Sequence, residues 1–370
     1  MGMASKRVAS VLSLTAIVSA LALAVAPYPG AQGAPAAWRV EQETRAGDIR
    51  TAAWQGKEAL WLRNNTHAIH TGPAFTDGTI EFDLSPMAEG DFFALTFRRD
   101  SLTNHENVYF RLSRSGEFMA LQYAPRMNGS STWQLYPEFT QRADWPRERW
   151  THVRAEVQGS RLEIFIGDAK APALSVPRLR HPGSGNQIAL WARANDKPEA
   201  WAAAVANFTV RSTAPAARLE PAPVAAGFLA DWQVAGPVAA EAAGEAALPA
   251  DATWTPVRAE ESGLVNLNRR FAIQPNTRRT IFARTVLPAP TTGRVRLDLG
   301  FSDDVVVWLN GEPLYRGANG WGSRYEQFVS FVDARFETVY LPLRRGDNDL
   351  VLAVSDDQRF GWGFAARLVP

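Results

Sequence analysis

The stretch RWTHVRAEVQGSRLEIFIG, Arg149 to Gly167, holds two runs in which apolar residues recur at every second position, with Gly159 and Ser160 between them. Alternation with period two sends successive side chains to opposite faces of a strand. The stretch therefore reads as two strands, Trp150–Val157 and Arg161–Gly167. Four further segments repeat the pattern: Thr79–Leu84, Asp91–Arg99, Asn107–Ser113 and Gln187–Arg193. Gly, Asn and Pro punctuate the gaps, and no long segment carries a helical period. Many short antiparallel strands with one wet face predict an all-β sandwich or jelly roll.

Outward from this block the chain divides. Arg211 to Gly227 is rich in Ala and Pro and lacks an apolar period, so it reads as a linker over 212–227. The 370 residues accommodate two domains, 38–211 before the linker and 228–370 after it. The second is also β, with strands expected at Ile281–Leu287, Gly293–Phe301, Asp304–Gly311, Thr338–Leu343 and Asp349–Ser355. Asn310-Gly311 is the strongest hairpin signal, because both residues tolerate positive φ. A second turn is expected at Gly346–Asn348, and the Ala-rich Val238–Ala252 reads as a surface loop or short helix.

Ahead of both domains, Lys6 and Arg7 precede a mostly apolar run, Val8–Ala26, followed by small residues and Pro through Ala34. Residues 1–34 read as an export signal cleaved between about Ala26 and Ala34, with an uncleaved anchor as the alternative. The expected location is periplasmic or extracellular, with no membrane span after cleavage. There is no Cys, so neither a disulfide nor a lipidated Cys is available. The 39 basic and 38 acidic residues leave no excess of charge for a phosphate backbone, which argues against a nucleic-acid partner. Thirteen Trp in a chain of this length suit both β-cores and sugar-binding surfaces.

The stretch LQYAPRMNGSSTWQLYPEF, Leu121 to Phe139, looks like strand, turn, strand. By parity Trp133 and Leu135 face the core. Tyr109, Arg111, Gln122, Gln134 and Tyr136 then share a wet face, joined by Asn128 at the turn. Planar donors and acceptors beside aromatic rings are how sugars are held. A bland solvated face with cross-strand pairs is the competing reading.

The Trp-x-His-Val strand pair in Arg149–Gly167 resembles concanavalin A-like, laminin G-like jelly rolls, and the likeness covers most of Phe75 to Val210. QYAPRMNGSSTWQLY is similar to a set of bacterial exported proteins with this fold. That superfamily includes lectins, glycanases and interaction modules. FLADWQVAGPV (Phe228–Val238), GFSDDVVVWLNGEPLYRG (Gly300–Gly317) and LPLRRGDNDLVLAVSDD (Leu341–Asp357) resemble galactose-binding-like jelly rolls, such as the sugar-binding domain of family 2 glycosidases. That resemblance implies scaffold roles for Asp303, Asp304, Trp308, Asn310 and Gly311. The contact candidates in the second domain are Asn319, Trp321, Arg324, Tyr325 and Trp362.

Glycanases of the first fold carry Glu-x-Asp-x-x-Glu on a concave strand. Here EFDLSP offers Glu81 and Asp83 on one face, but Pro86 replaces the second Glu, so a hydrolase is the runner-up. Glu156 and Glu163 are alternative acids. The competing view of Glu81 and Asp83 is salt bridging to neighbouring strands. His67 and His70 do not make a metal site by spacing. No cofactor is required, and calcium is admissible although no Asp-rich loop of the needed spacing occurs. The sequence expectation is thus an exported, non-catalytic glycan- or polysaccharide-binding protein, with hydrolase and laminin G-type interaction module as alternatives.

Overall fold

The computed structural model describes residues 37–42, 48–239, 251–274, 277–325 and 329–369. The export signal and most of the Ala-rich stretch, 240–250, lie outside the described residues. Four antiparallel sheets make two sandwiches. In the first sandwich one seven-stranded sheet runs Trp38–Gln42, Thr66–His70, Gln187–Arg193, Phe92–Ser101, Asn104–Arg111, Leu121–Tyr123, Thr140–Gln141. The other runs Leu174–Val176, Arg161–Ile166, Thr151–Gln158, Asp77–Pro86, Trp201–Thr213, Lys57–Arg63, Asp48–Trp54. The second sandwich pairs a six-stranded sheet (Thr255–Arg258, Asp231–Ala239, Arg279–Ala289, Gly346–Asp356, Asp304–Leu309, Glu312–Ala318) with a four-stranded one (Leu264–Asn266, Gly363–Val369, Gly293–Ser302, Glu337–Leu343). No α-helix occurs among the described residues.

The alternation dictates the packing. Ile80, Phe82 and Leu84, with Val153, Ala155 and Val157 from the adjacent strand, meet Phe93, Leu95, Val108 and Phe110 of the facing sheet in one core. Each Val, Leu, Ile and Phe among them contributes about 1.5–3 kcal/mol on burial. All eleven expected strands form, each within a few residues of its expected ends. Gly159, in the turn of the opening hairpin, has φ +56°, and a Cβ there would sit 2.3 Å from the Ala217 carbonyl oxygen. The hairpin thus presses directly on the segment between the sandwiches. Asn310 and Gly311 both take positive φ, 53° and 83°, as the hairpin turn requires. The later turn falls at Arg344-Arg345, ahead of Gly346, because Gly346 and Asn348 already pair within the strand Gly346–Asp356.

One expectation fails. Trp133–Tyr136 is not a strand: after Leu121–Tyr123 the chain makes turns and a short 3-10 segment, Pro137–Phe139. Without a strand, parity assigns no faces there. The segment lies instead against the second sandwich. Val332 donates to the Gln134 carbonyl at 2.8 Å, and Gln134 donates to the Phe360 carbonyl at 3.1 Å. The core of the first sandwich takes in Leu264, Val332, Ala334 and Ala365 from the second.

Candidate functional site

The structure divides the expected sugar contacts between a seam and an open face. On the seam side Gln134 is completely buried. Its Nε2 donates to Ser330 Oγ and, at 3.4 Å, to Asp303 Oδ1, and its Oε1 accepts from Ser302 Oγ at 2.7 Å. Tyr136, also completely buried, donates to Glu260 Oε1 at 3.0 Å and accepts from Asn266 Nδ2 at 2.8 Å. Burial pushes its phenol well above the ordinary range, and the Glu260 carboxylate adds to this. Asn128 donates to the Asn268 carbonyl at 2.8 Å and accepts, through its own carbonyl, from Ile273 N–H at 3.0 Å. Gln122 does lie on the face expected, opposite Tyr109, but it is buried under the Trp133 segment and donates to the Trp133 carbonyl at 2.7 Å. Gln122, Gln134 and Tyr136 are buried and Asn128 is half-buried; a buried polar group must find a protein partner, and each of the four has one. Trp133 is half-buried instead of sealed in the core. It packs against Trp321, Phe331 and Phe360 of the second sandwich at ring separations of 5.6, 5.7 and 5.6 Å.

Tyr109 and Arg111 do point outward, on the face of the first sheet turned away from the core. The register builds two rows across that face, Trp191–Ala94–Tyr109 and Arg193–Phe92–Arg111. Small Ala94, with Thr96 and Ala189 in the row beyond, forms a floor. Phe92, Tyr109 and Trp191 stand above it, all half-buried. Phe92 is 5.3 Å from Tyr109 and 6.5 Å from Trp191, each inclined at 21°. Burial raises the Tyr109 phenol pKa. The Arg111 guanidinium lies 5.8 Å from the Phe92 ring and 5.6 Å from that of Trp321, which the second sandwich contributes. Burial lowers the pKa of Arg111, and among the described residues its guanidinium makes only a weak 3.6 Å contact to Met119 Sδ.

Sequence reasoning passed over Phe92 and Trp191. Their signal was present: each is an aromatic residue out of phase with the core positions of its strand, Phe92 beside Phe93 and Trp191 beside Leu190 and Ala192.

Of the other candidates, Arg324, Asn319 and Trp362 have protein partners. Arg324 is ion-paired with Glu337 and also donates to the Ala318 carbonyl at 3.3 Å. Asn319 is buried and donates to the Phe301 and Phe331 carbonyls. Trp362 is sealed in the second core. Tyr325 is exposed. Glu81 pairs with Arg211, and Asp83 is held by Lys57, His152 and Asn207, so both acids are occupied. His67 and His70 sit in a strand and not in a surface loop. Three residues apart on a strand, they point to opposite faces. Among the described residues no group of three or more His, Asp or Glu is arranged to hold a metal, and no helix is long and apolar enough to cross a membrane.

A second aromatic patch, Trp54, Trp61 and Trp201, lies on the outer face of the opposite sheet. Arg50 lies over both the Trp61 and Trp201 rings, at 4.9 and 4.6 Å, and Arg63 over Trp201 at 4.6 Å, so cations already cover the ring faces. On the Tyr109 face no cation of the described residues covers the rings of Tyr109 and Trp191.

No protein-family model matches the chain, and no curated protein does. Among solved structures it is similar to the carbohydrate binding module CBM66 from Bacillus subtilis (16% identity, TM-score 0.32, 45% of this chain and 92% of that one). It is similar to domain 4 of AbnA, a GH43 extracellular arabinanase from Geobacillus stearothermophilus in complex with arabinotriose (14%, 0.32, 48% and 83%). It is similar, too, to the exoplasmic/lumenal domain of VIP36 in its Ca2+/Man3GlcNAc-bound form (12%, 0.34, 50% and 86%). At these scores the similarities assign neither ligand nor activity.

Proposed function

We propose that the protein is an exported, non-catalytic carbohydrate-binding protein whose site is the outer face carrying Trp191, Phe92, Tyr109 and Arg111, completed by Trp321. One observation carries this reading: three half-buried rings stand in one group above a floor of small residues, beside a guanidinium with no carboxylate partner among the described residues. Aromatic surface takes up the C–H faces of a sugar ring, and an adjacent planar donor engages its hydroxyls. The occupied state of Glu81 and Asp83 supports binding without hydrolysis.

The test is a glycan-array screen of the mature chain, with and without calcium, and with sugar release measured on the same preparation. The expected result is retention of a glycan class without release, weakened about tenfold by Tyr109→Ala, on the scale of one lost stacked ring. Retention that Tyr109→Ala leaves untouched removes this face as the site, and release of sugar removes the non-catalytic part of the reading.

A further inference from the structure

We propose that the sugar held on this face is an anionic one, and that its carboxylate or sulfate group is received by Arg111 with Arg193 beside it. The inference rests on the carbohydrate reading of the same face and narrows it to one ligand chemistry.

The argument comes from how the first sandwich treats its other buried arginines. Arg98, Arg99 and Arg180 are 3%, 2% and 5% exposed, and each holds a carboxylate: Asp77, Glu41 and Glu261. That is the physical norm, since a cation taken out of water needs an anion to offset the lost hydration. Arg111 departs from it. It is half-buried, desolvated enough to lower its pKa, and has no carboxylate partner among the described residues. Two acids lie close enough to influence it, and both are engaged elsewhere. Asp91 Oδ2 accepts from Asn195 N–H at 2.6 Å, and Glu117 pairs with Arg114 at 3.3 Å.

What surrounds Arg111 is a set of aromatic contacts that leaves its donors to a ligand. Two rings lie near the guanidinium, Phe92 from the first sandwich and Trp321 from the second. Such rings hold the fork in place without consuming its donors. Arg193 stands across Phe92 in the same row, exposed and without an ion pair among the described residues. A sugar lying over Phe92 and Tyr109 would therefore present an acid group between two cations. Charge-assisted bonds to a planar fork are the strong class of hydrogen bond, and here the ligand would also relieve an uncompensated charge.

The experiment is calorimetric titration of the full chain with three oligosaccharides of matched length: oligogalacturonate, its fully methyl-esterified form, and a heparin oligosaccharide. The expected result is at least about tenfold tighter binding of one anionic oligomer than of the ester, the scale of one charge-assisted bond, with the preference falling as salt rises. Preference for the galacturonate assigns a carboxylate; because heparin carries uronate carboxylates as well as sulfates, preference for heparin assigns a sulfate where desulfation abolishes it. Arg111→Gln should bring acid and ester to parity, with the ester itself weakened by the lost hydroxyl contact; Arg111→Lys should keep part of the preference. Because Arg111 also touches Trp321, Arg193→Gln serves as a second variant at an exposed position, with a loss of about two- to threefold. Equal binding of acid and ester by the unaltered chain overturns the anionic assignment and leaves the carbohydrate reading standing. An acid preference surviving both substitutions also overturns it. Binding of none of the three overturns the assignment, and failure of the wider glycan screen as well ends the carbohydrate reading.

Discussion

Tyr109 with Arg111, and Gln134 with Tyr136, offer the same chemical vocabulary within one sandwich: a phenol and a planar donor two residues apart. One pair stands on an open sheet face. The other is fully covered and bonded into a second sandwich, to Ser302, Ser330, Glu260 and Asn266, which lie 124 to 196 residues further along the chain. Residue type thus says that polar partners will be needed; only the tertiary contact says whether protein or ligand supplies them.

The comparison breaks most readily on the seam. Tyr136→Ala should cost about 3–5 kcal/mol in denaturant unfolding, through the lost ring and the unpaired Glu260 and Asn266 groups. An unchanged midpoint would mean the seam contributes nothing, and Tyr136 would be no different from Tyr109. Next in size is a pH effect on the inner face of the strand that carries Tyr109 outward. There Glu106 is buried and accepts from Tyr123. Burial pushes its carboxyl from 4.5 to about 7. The folded chain therefore keeps this proton longer than the unfolded one. The contribution is greatest below about pH 4.5, falls on the order of 3 kcal/mol as pH rises to about 7, and is flat above. Glu106→Gln should remove that slope from unfolding curves taken across this window; a slope that persists places the titration elsewhere. Smaller again, Tyr109→Ala should move the melting temperature by a few degrees or less, as expected for a half-exposed side chain, while it weakens glycan binding. Unfolding on the scale of Tyr136→Ala would make Tyr109 a seam residue too. The smallest effect belongs to Arg324→Ala, which removes a partly exposed ion pair with Glu337 and should cost about 0–1 kcal/mol, with no change in glycan retention.

These outcomes mirror what could be read from the chain. The strands were legible because alternation is local: eleven expected segments are strands, and the Asn310-Gly311 turn forms where its chemistry demands. The aromatic face was legible in part, through Tyr109 and Arg111, while Phe92 and Trp191 needed the register of three strands to bring them together. The seam was not legible. Trp133–Tyr136 alternates like a strand, yet its backbone groups are satisfied by Phe360 and Val332, and nothing within the stretch announces partners so distant in sequence. Trp321 was picked out for its aromatic face, but its meeting with Trp133 and Arg111 is a product of the docked sandwiches.

The segment Ala214–Gly227 between the sandwiches is mostly exposed and carries Pro221 and Pro223, while its neighbours fix it at Ala216, Leu219 and Ala225. With the seam holding both halves, this tether is dispensable to the assembled shape. A protease that nicks it near Glu220 should yield two pieces on a denaturing gel and one particle in native mass spectrometry. The same geometry makes the tether a tolerant place for new termini: a circular permutant opened there keeps every seam contact, and with it the aromatic face to which both sandwiches contribute.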